Sequence, residues 1–181
     1  MPEETRPKLK RVPFGTEHLE WVGHISSHWA SLEFLIDSTV WDLAKVPDKV
    51  GACITANFLS IYPKLKALIA LAHLHGASEQ TIKKLNRFRN DLHPVGEKRN
   101  RAVHDYWMML ETNDGFQPVQ VTITADGKPE FFFKPVSVEE LKSICAEIDK
   151  KIEKFLTIRM TLESDFPSLQ QRMHKPLAES R

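Results

Sequence analysis

Eleven residues past the middle of the chain, Glu97 to Trp107 (EKRNRAVHDYW), hold the side chains best suited to chemistry. Arg99 and His104 are five apart, which on an ideal helix sets them about 140° from one another. A long arginine and an imidazole at that angle can flank one groove, and Asn100 lies between them as a polar helper. Moving a proton near neutral pH is a task for imidazole, and holding charged phosphoryl oxygens is one for a permanently cationic guanidinium. Together they supply what phosphodiester cleavage needs, with no metal required.

Arg99-Asn100-x-x-x-His104 resembles the RNxxxH signature of the HEPN superfamily (higher eukaryotes and prokaryotes nucleotide-binding), and the order of helices read below is similar to that family's. The resemblance implies an all-α bundle that dimerises so that two such motifs face each other in one cleft, and a metal-independent endoribonuclease activity without cofactor. It makes His104 the proton-transfer residue for attack by a ribose 2′-hydroxyl, Arg99 the stabiliser of phosphorane-like charge and Asn100 an orienting residue. The longer match Arg99-x4-His104-x-Tyr106 resembles the RxxxxHxY form of HEPN toxins paired with minimal nucleotidyltransferase antitoxins. There Tyr106 is the modifiable or substrate-contacting position, and RNA, a second copy and an antitoxin or nucleotidyltransferase are the implied partners. The alternative is a non-catalytic HEPN-like module that binds nucleotide, RNA or a protein partner through the same cleft.

Supporting positions follow from charge. From Lys83 to Arg101 seven basic residues face two acidic ones in a chain of net charge +1, a local excess that suits a phosphate-seeking surface, with Arg101 beside the motif. Glu33 falls between Trp29 and Ile36 on an apolar stripe, where an unpaired carboxylate is costly; either a cationic or hydrogen-bonding partner is expected, Arg99 or Arg101 by placement, or the position lies at the edge of the stripe with its carboxylate in water. Arg89-Asn90-Asp91-Leu92-His93 mimics the motif one residue short and abuts Pro94. His24 and His28, four apart, lack the Glu of HExxH and a third ligand, so no metal site is expected.

The elements that must position these residues are mostly helical. Leu19, Val22, Ile25, Trp29, Leu32, Ile36, Val40 and Leu43 recur at threes and fours from Thr16 until Pro47 stops them. A second helical stretch from about Asp48 to His75 is expected to bend or break near Pro63, with Ile54, Phe58, Leu65, Leu68 and Ala72 inside. Ser78 caps a third helix along Ile82, Leu85, Phe88 and Leu92, with a kink or break at Pro94–Gly96 and resumption to about Met109. The period then becomes two: Pro118–Thr124 and Glu130–Phe133, around Ala-Asp-Gly-Lys, read as a hairpin. Ser137-Val-Glu-Glu140 is a capping box for a last helix through Leu162.

The expected architecture is all-α: an up-and-down bundle of four main helices over 16–163, with a β-hairpin at about 117–134 inserted between the third and fourth. An irregular arm (1–15) and a loose tail (164–181) flank it. Composition agrees, since 41% hydrophobic and 27% charged residues fit a globular chain and exclude collagen-like or wholly disordered classes. The most apolar run, Leu65–Leu74, carries Lys66 and His73 and is far short of the ~20 residues that span a bilayer. Two cysteines outside any ligand spacing, and a charged start with no apolar core behind it, lead to the expectation of a cytoplasmic protein.

Overall fold

Helices, each burying part of its surface, make up most of the chain. The computed structural model describes residues 9–10, 15–113, 115–124 and 130–166, and the elements run β1 (Leu9–Lys10), α1 (Thr16–Ala44), α2 (Asp48–Thr55), α3 (Ile61–Leu74), α4 (Glu79–His104), β2 (Tyr106–Thr112), β3 (Gly115–Thr124), β4 (Glu130–Pro135), α5 (Val138–Asp165). Two of the expected caps form as read. The Ser78 hydroxyl accepts from Thr81 N (3.2 Å) at the start of α4, and the Ser137 hydroxyl from Glu140 N (3.1 Å) at the start of α5.

The chain divides into two compact units, Met1–Trp29 with Pro94–Ile148, and Ala30–His93 with Asp149–Arg181. The first unit contains the sheet, antiparallel throughout in the order β1-β2-β3-β4. Tyr106 pairs with Val121 and Trp107 with Gln120 between β2 and β3; Val121 pairs with Phe133 and Thr122 with Phe132 between β3 and β4. Its core is Ile25, Trp29, Val95, Ala102, Met109, Val119, Val121, Val136, Leu141 and Ile144, all buried. In the second unit Leu32, Ile36, Leu43, Leu65, Leu68, Leu85, Phe88, Leu92, Phe155 and Leu162 are fully or almost fully buried, with the Phe88 and Phe155 rings 5.4 Å apart.

Several expectations are corrected. The expected hairpin is a three-stranded meander, because Tyr106–Thr112 is strand rather than the end of a helix reaching Met109. A seven-residue run such as YWMMLET has no periodicity that separates the two, and pairing with β3 decides it. Leu9 and Lys10, expected in an irregular arm, pair with Leu110 and Met109. The second helical stretch breaks at 56–60 instead of Pro63, which stands third in α3, where backbone N–H groups have no intrahelical partner to lose. Helix α4 runs through Pro94 without a break, with Leu92, Val95 and Gly96 buried around it. The rest of the arm, the hairpin turn 125–129 and the tail beyond Phe166 lie outside the described residues.

Candidate functional site

Helix α4 ends at His104, and its last turn and a half carries the candidate site. Asp105 N bonds Arg101 O (3.1 Å), closing the helix, after which the chain turns directly into β2 at Tyr106. Two side-chain links fix that exit. Trp107 Nε1 donates to Ala102 O (3.0 Å), and the Thr122 hydroxyl on β3 accepts from Arg101 Nη1 (3.2 Å) while donating to Asp105 Oδ2 (2.8 Å). The helix end is thus tied to both neighbouring strands through its own residues.

Arg99, Asn100 and His104 come together there. Arg99 Nη1 donates to Asn100 Oδ1 at 3.0 Å and lies 3.1 Å from His104 Nε2. The guanidinium carbon sits 5.6 Å from the centre of the buried Trp29 ring, so one face of the cation is held by an aromatic platform. Arg99 is half-buried, whereas Asn100 and His104 are exposed. A rigid cation backed by apolar surface beside a solvent-facing imidazole is able to hold an anion and exchange a proton with it. Tyr106, two residues on, is 53% exposed at the head of β2.

The supporting residues divide. Arg101 is bound to Thr122, as described, and remains exposed. Glu33 belongs to the second unit, where the cation facing it is Lys64 of α3, with Nζ 3.8 Å from Oε2. Lys64 donates to Asp37 Oδ2 at 2.7 Å, and burial pushes the Asp37 carboxyl above its ordinary value despite that bond. The basic run is also largely engaged: Lys83 faces Glu79 (3.6 Å), Arg87 faces Asp91 (4.0 Å) and Lys98 binds both Glu147 oxygens (2.7 and 2.9 Å). In the shortened mimic of the motif, Asp91 accepts from Lys154 (2.6 Å), which holds its carboxyl below the ordinary value, and His93 stands against Tyr62.

Trp29, Asp105, Trp107 and Thr122 are the participants that sequence reasoning missed. Trp29 and Thr122 reach the site through tertiary placement, whereas Asp105 and Trp107 follow His104 closely in the chain, which is the signal that could have found them. The histidines of α1 have other surroundings: His24 packs on Trp21, and His28 Nδ1 lies 3.5 Å from Cys145 Sγ. Beneath the exit, His18, Leu19, Val22, Val103 and Trp107 line a small cavity of about 80 Å³. No helix among the described residues is long and apolar enough to cross a membrane. No family model, curated protein or solved structure matches the chain.

Proposed function

We propose that the chain is a HEPN-like, metal-independent endoribonuclease of the cytoplasm, a helical bundle acting as a homodimer with the two Arg99/His104 motifs facing, in a toxin–antitoxin or phage-defence setting. The observation that carries this reading is the contact of Arg99 Nη1 with His104 Nε2 at 3.1 Å on an exposed helix end. Arginine has no acceptor, so the bond at Nε2 requires a neutral imidazole with its proton on Nδ1. A phosphodiester oxygen is an anionic, stronger acceptor than imidazole and draws the guanidinium to itself. That exchange frees Nε2, now beside the phosphate, to take the proton of the adjacent 2′-hydroxyl.

The 2′-oxygen then attacks phosphorus, Arg99 stabilises the charge that builds on the equatorial oxygens, and the 5′-oxygen leaves with the proton returned by the imidazolium. The products are a 2′,3′-cyclic phosphate and a 5′-hydroxyl. Asn100 holds Arg99 in place through its Oδ1, and Trp29 supports the guanidinium from behind. The exposure of Tyr106 supports a role for it as a contact for a bound strand or a target of a modifying nucleotidyltransferase.

The test is cleavage of a mixed RNA pool in EDTA by wild type, His104→Ala and Arg99→Ala, with end-group analysis. Cyclic-phosphate ends from the wild type alone support the reading. Equal activity in all three, or none in any, overturns catalysis by this set. Retained RNA or nucleotide binding then moves the assignment to a non-catalytic module.

A further inference from the structure

One hydroxyl joins the end of α4 to the sheet. Thr122 accepts from Arg101 Nη1 (3.2 Å) and donates to Asp105 Oδ2 (2.8 Å), so the face of β3 that carries Thr122 is the face on which α4 ends. Trp107, opposite Gln120 on that same face, donates from Nε1 to Ala102 O of α4 (3.0 Å). In the register of β3 with β4, Thr122 stands opposite Phe132, and opposed residues share a face with their Cβ atoms about 5 Å apart. Phe132 is 51% exposed. An aromatic ring open to solvent thus stands one strand spacing from the residue that fixes the Arg101 guanidinium.

We infer that Phe132 and Arg101 form a nucleotide subsite beside Arg99 and His104, in which a base of single-stranded RNA stacks on the Phe132 ring while Arg101 holds a phosphate of the same strand. The inference rests on the proposed action on RNA and names its substrate as unpaired RNA. A flat π face and a phosphate anion are what an unpaired nucleotide offers, and the two side chains match them one to one. Every base has a π face, so the ring reads no sequence; a base inside a duplex has its faces covered by its neighbours, so the subsite selects single strands and loops.

Charge selects the occupant. Arg99 and Arg101 both leave the last turn and a half of α4, and two guanidinium groups at one helix end favour a polyanion over an apolar peptide. The Asp105 carboxylate, which follows them, accepts from the Thr122 hydroxyl. Arg101 is exposed, and a guanidinium has more N–H groups than its bond to Thr122 uses, so it binds phosphate while still anchored to the sheet. Phe131 and Phe133, opposite Ile123 and Val121, fall on the other face by the alternation of the strand and take no part.

The test is fluorescence anisotropy of a short labelled single-stranded RNA in EDTA, with each variant made in a His104→Ala background so that binding is read apart from cleavage, and circular dichroism to establish folding. Phe132→Ala should raise Kd about 5- to 100-fold, the loss expected when the ring under one base is removed. Phe132→Leu, which keeps apolar bulk without a ring, should also weaken binding, and Phe132→Tyr should bind as the parent does. Phe131→Ala removes a ring of similar exposure (59%) from the other face and should leave Kd unchanged. Arg101→Ala should weaken binding and lower the salt slope of log Kd by about 0.7, the value of one phosphate contact on a single strand. Binding of a duplex of the same sequence should not depend on Phe132. Binding that is absent, indifferent to Phe132→Ala or weakened equally by Phe131→Ala overturns the inference, as does a duplex with the same dependence on Phe132. An unchanged salt slope in Arg101→Ala overturns the phosphate contact. Phe132-dependent binding by a chain whose wild type does not cut RNA keeps the subsite and removes the catalytic reading, whereas cutting by the wild type with binding indifferent to Phe132 keeps the catalysis and removes the subsite.

Discussion

Arg99 Nη1 and His104 Nε2 are 3.1 Å apart, and because a guanidinium only donates, the imidazole must accept at Nε2. The proton of His104 is therefore on Nδ1, the reverse of the tautomer that free imidazole side chains favour. Nitrogen-15 NMR of the labelled ring should show Nε2 unprotonated and Nδ1 protonated in wild type, and a mixture shifted toward Nε2–H in Arg99→Ala. An Nε2–H tautomer in wild type removes the bond from consideration and with it the latch that phosphate is proposed to release.

Lys64 is buried beside Asp37, whose carboxyl burial already drives upward, and within 3.8 Å of Glu33. Lys64→Met strips the cation and leaves a buried carboxylate uncompensated, a loss of about 3–5 kcal/mol in chemical denaturation at neutral pH. With Asp37 raised above its ordinary value, the folded state holds the extra proton, so the deficit shrinks as pH falls toward the carboxylate range and grows as it rises. The double variant Lys64→Met/Asp37→Leu should recover most of the loss. A double variant as unstable as Lys64→Met alone shows that the cost lies in packing and not in the unpaired charge.

The parts of the fold legible in the sequence are those decided within one turn or one stripe. Ser78 and Ser137 cap as their spacing indicates, and Ile25, Trp29, Leu32, Ile36, Val40 and Leu43 are buried as their period requires. Leu19, on the same stripe, is 58% exposed at the rim of the small cavity that it lines with Val22, Val103 and Trp107. Ile54 is also exposed, since the break at 56–60 gives α2 its own phase, with Gly51 and Thr55 inward. Tyr106–Thr112 became strand through β3, a partner that no local pattern names. The site divides in the same way. Arg99, Asn100 and His104 are one helical segment and could be joined on paper, whereas Trp29 and Thr122 arrive from remote positions, and Glu33 meets Lys64, a residue that spacing on α1 does not point to.

Gly51 shows how a packing requirement hides in sequence. A Cβ there would lie 2.3–2.8 Å from three atoms of the Trp41 ring, far inside contact distance, so α2 approaches α1 only because the position is glycine. Trp41 cannot swing away freely, since its Nε1 donates to the Thr55 hydroxyl (3.1 Å). Gly51→Ala should therefore destabilise by about 1–3 kcal/mol, against the usual gain from alanine in a helix. Urea unfolding measures it, and a stabilised variant would show that the contact relaxes at no cost.

The last prediction concerns acid. Asp165, at the end of α5, accepts from the Thr81 hydroxyl at 2.6 Å and from Ser78 N at 3.2 Å, bonding to the residues that start α4. The Thr81 bond, with help from Ser78 and the charge of Lys84, holds its carboxyl below the ordinary 3.8. In the interval between the folded and unfolded values the unfolded chain binds more protons, so stability rises with pH there. The contribution is complete above the unfolded value and is lost as pH falls through the folded one. Asp91 titrates in the same direction through Lys154, so the wild-type melting curve alone mixes the two. The difference between wild type and Asp165→Asn isolates one of them: Asn keeps an acceptor for Thr81 but has no charge. Melting temperatures measured from neutrality down through the carboxylate range should show a gap that is widest above 3.8 and closes below it. A gap that stays constant with pH assigns the effect of Asp165 to shape and hydrogen bonding alone, with no contribution from its ionisation.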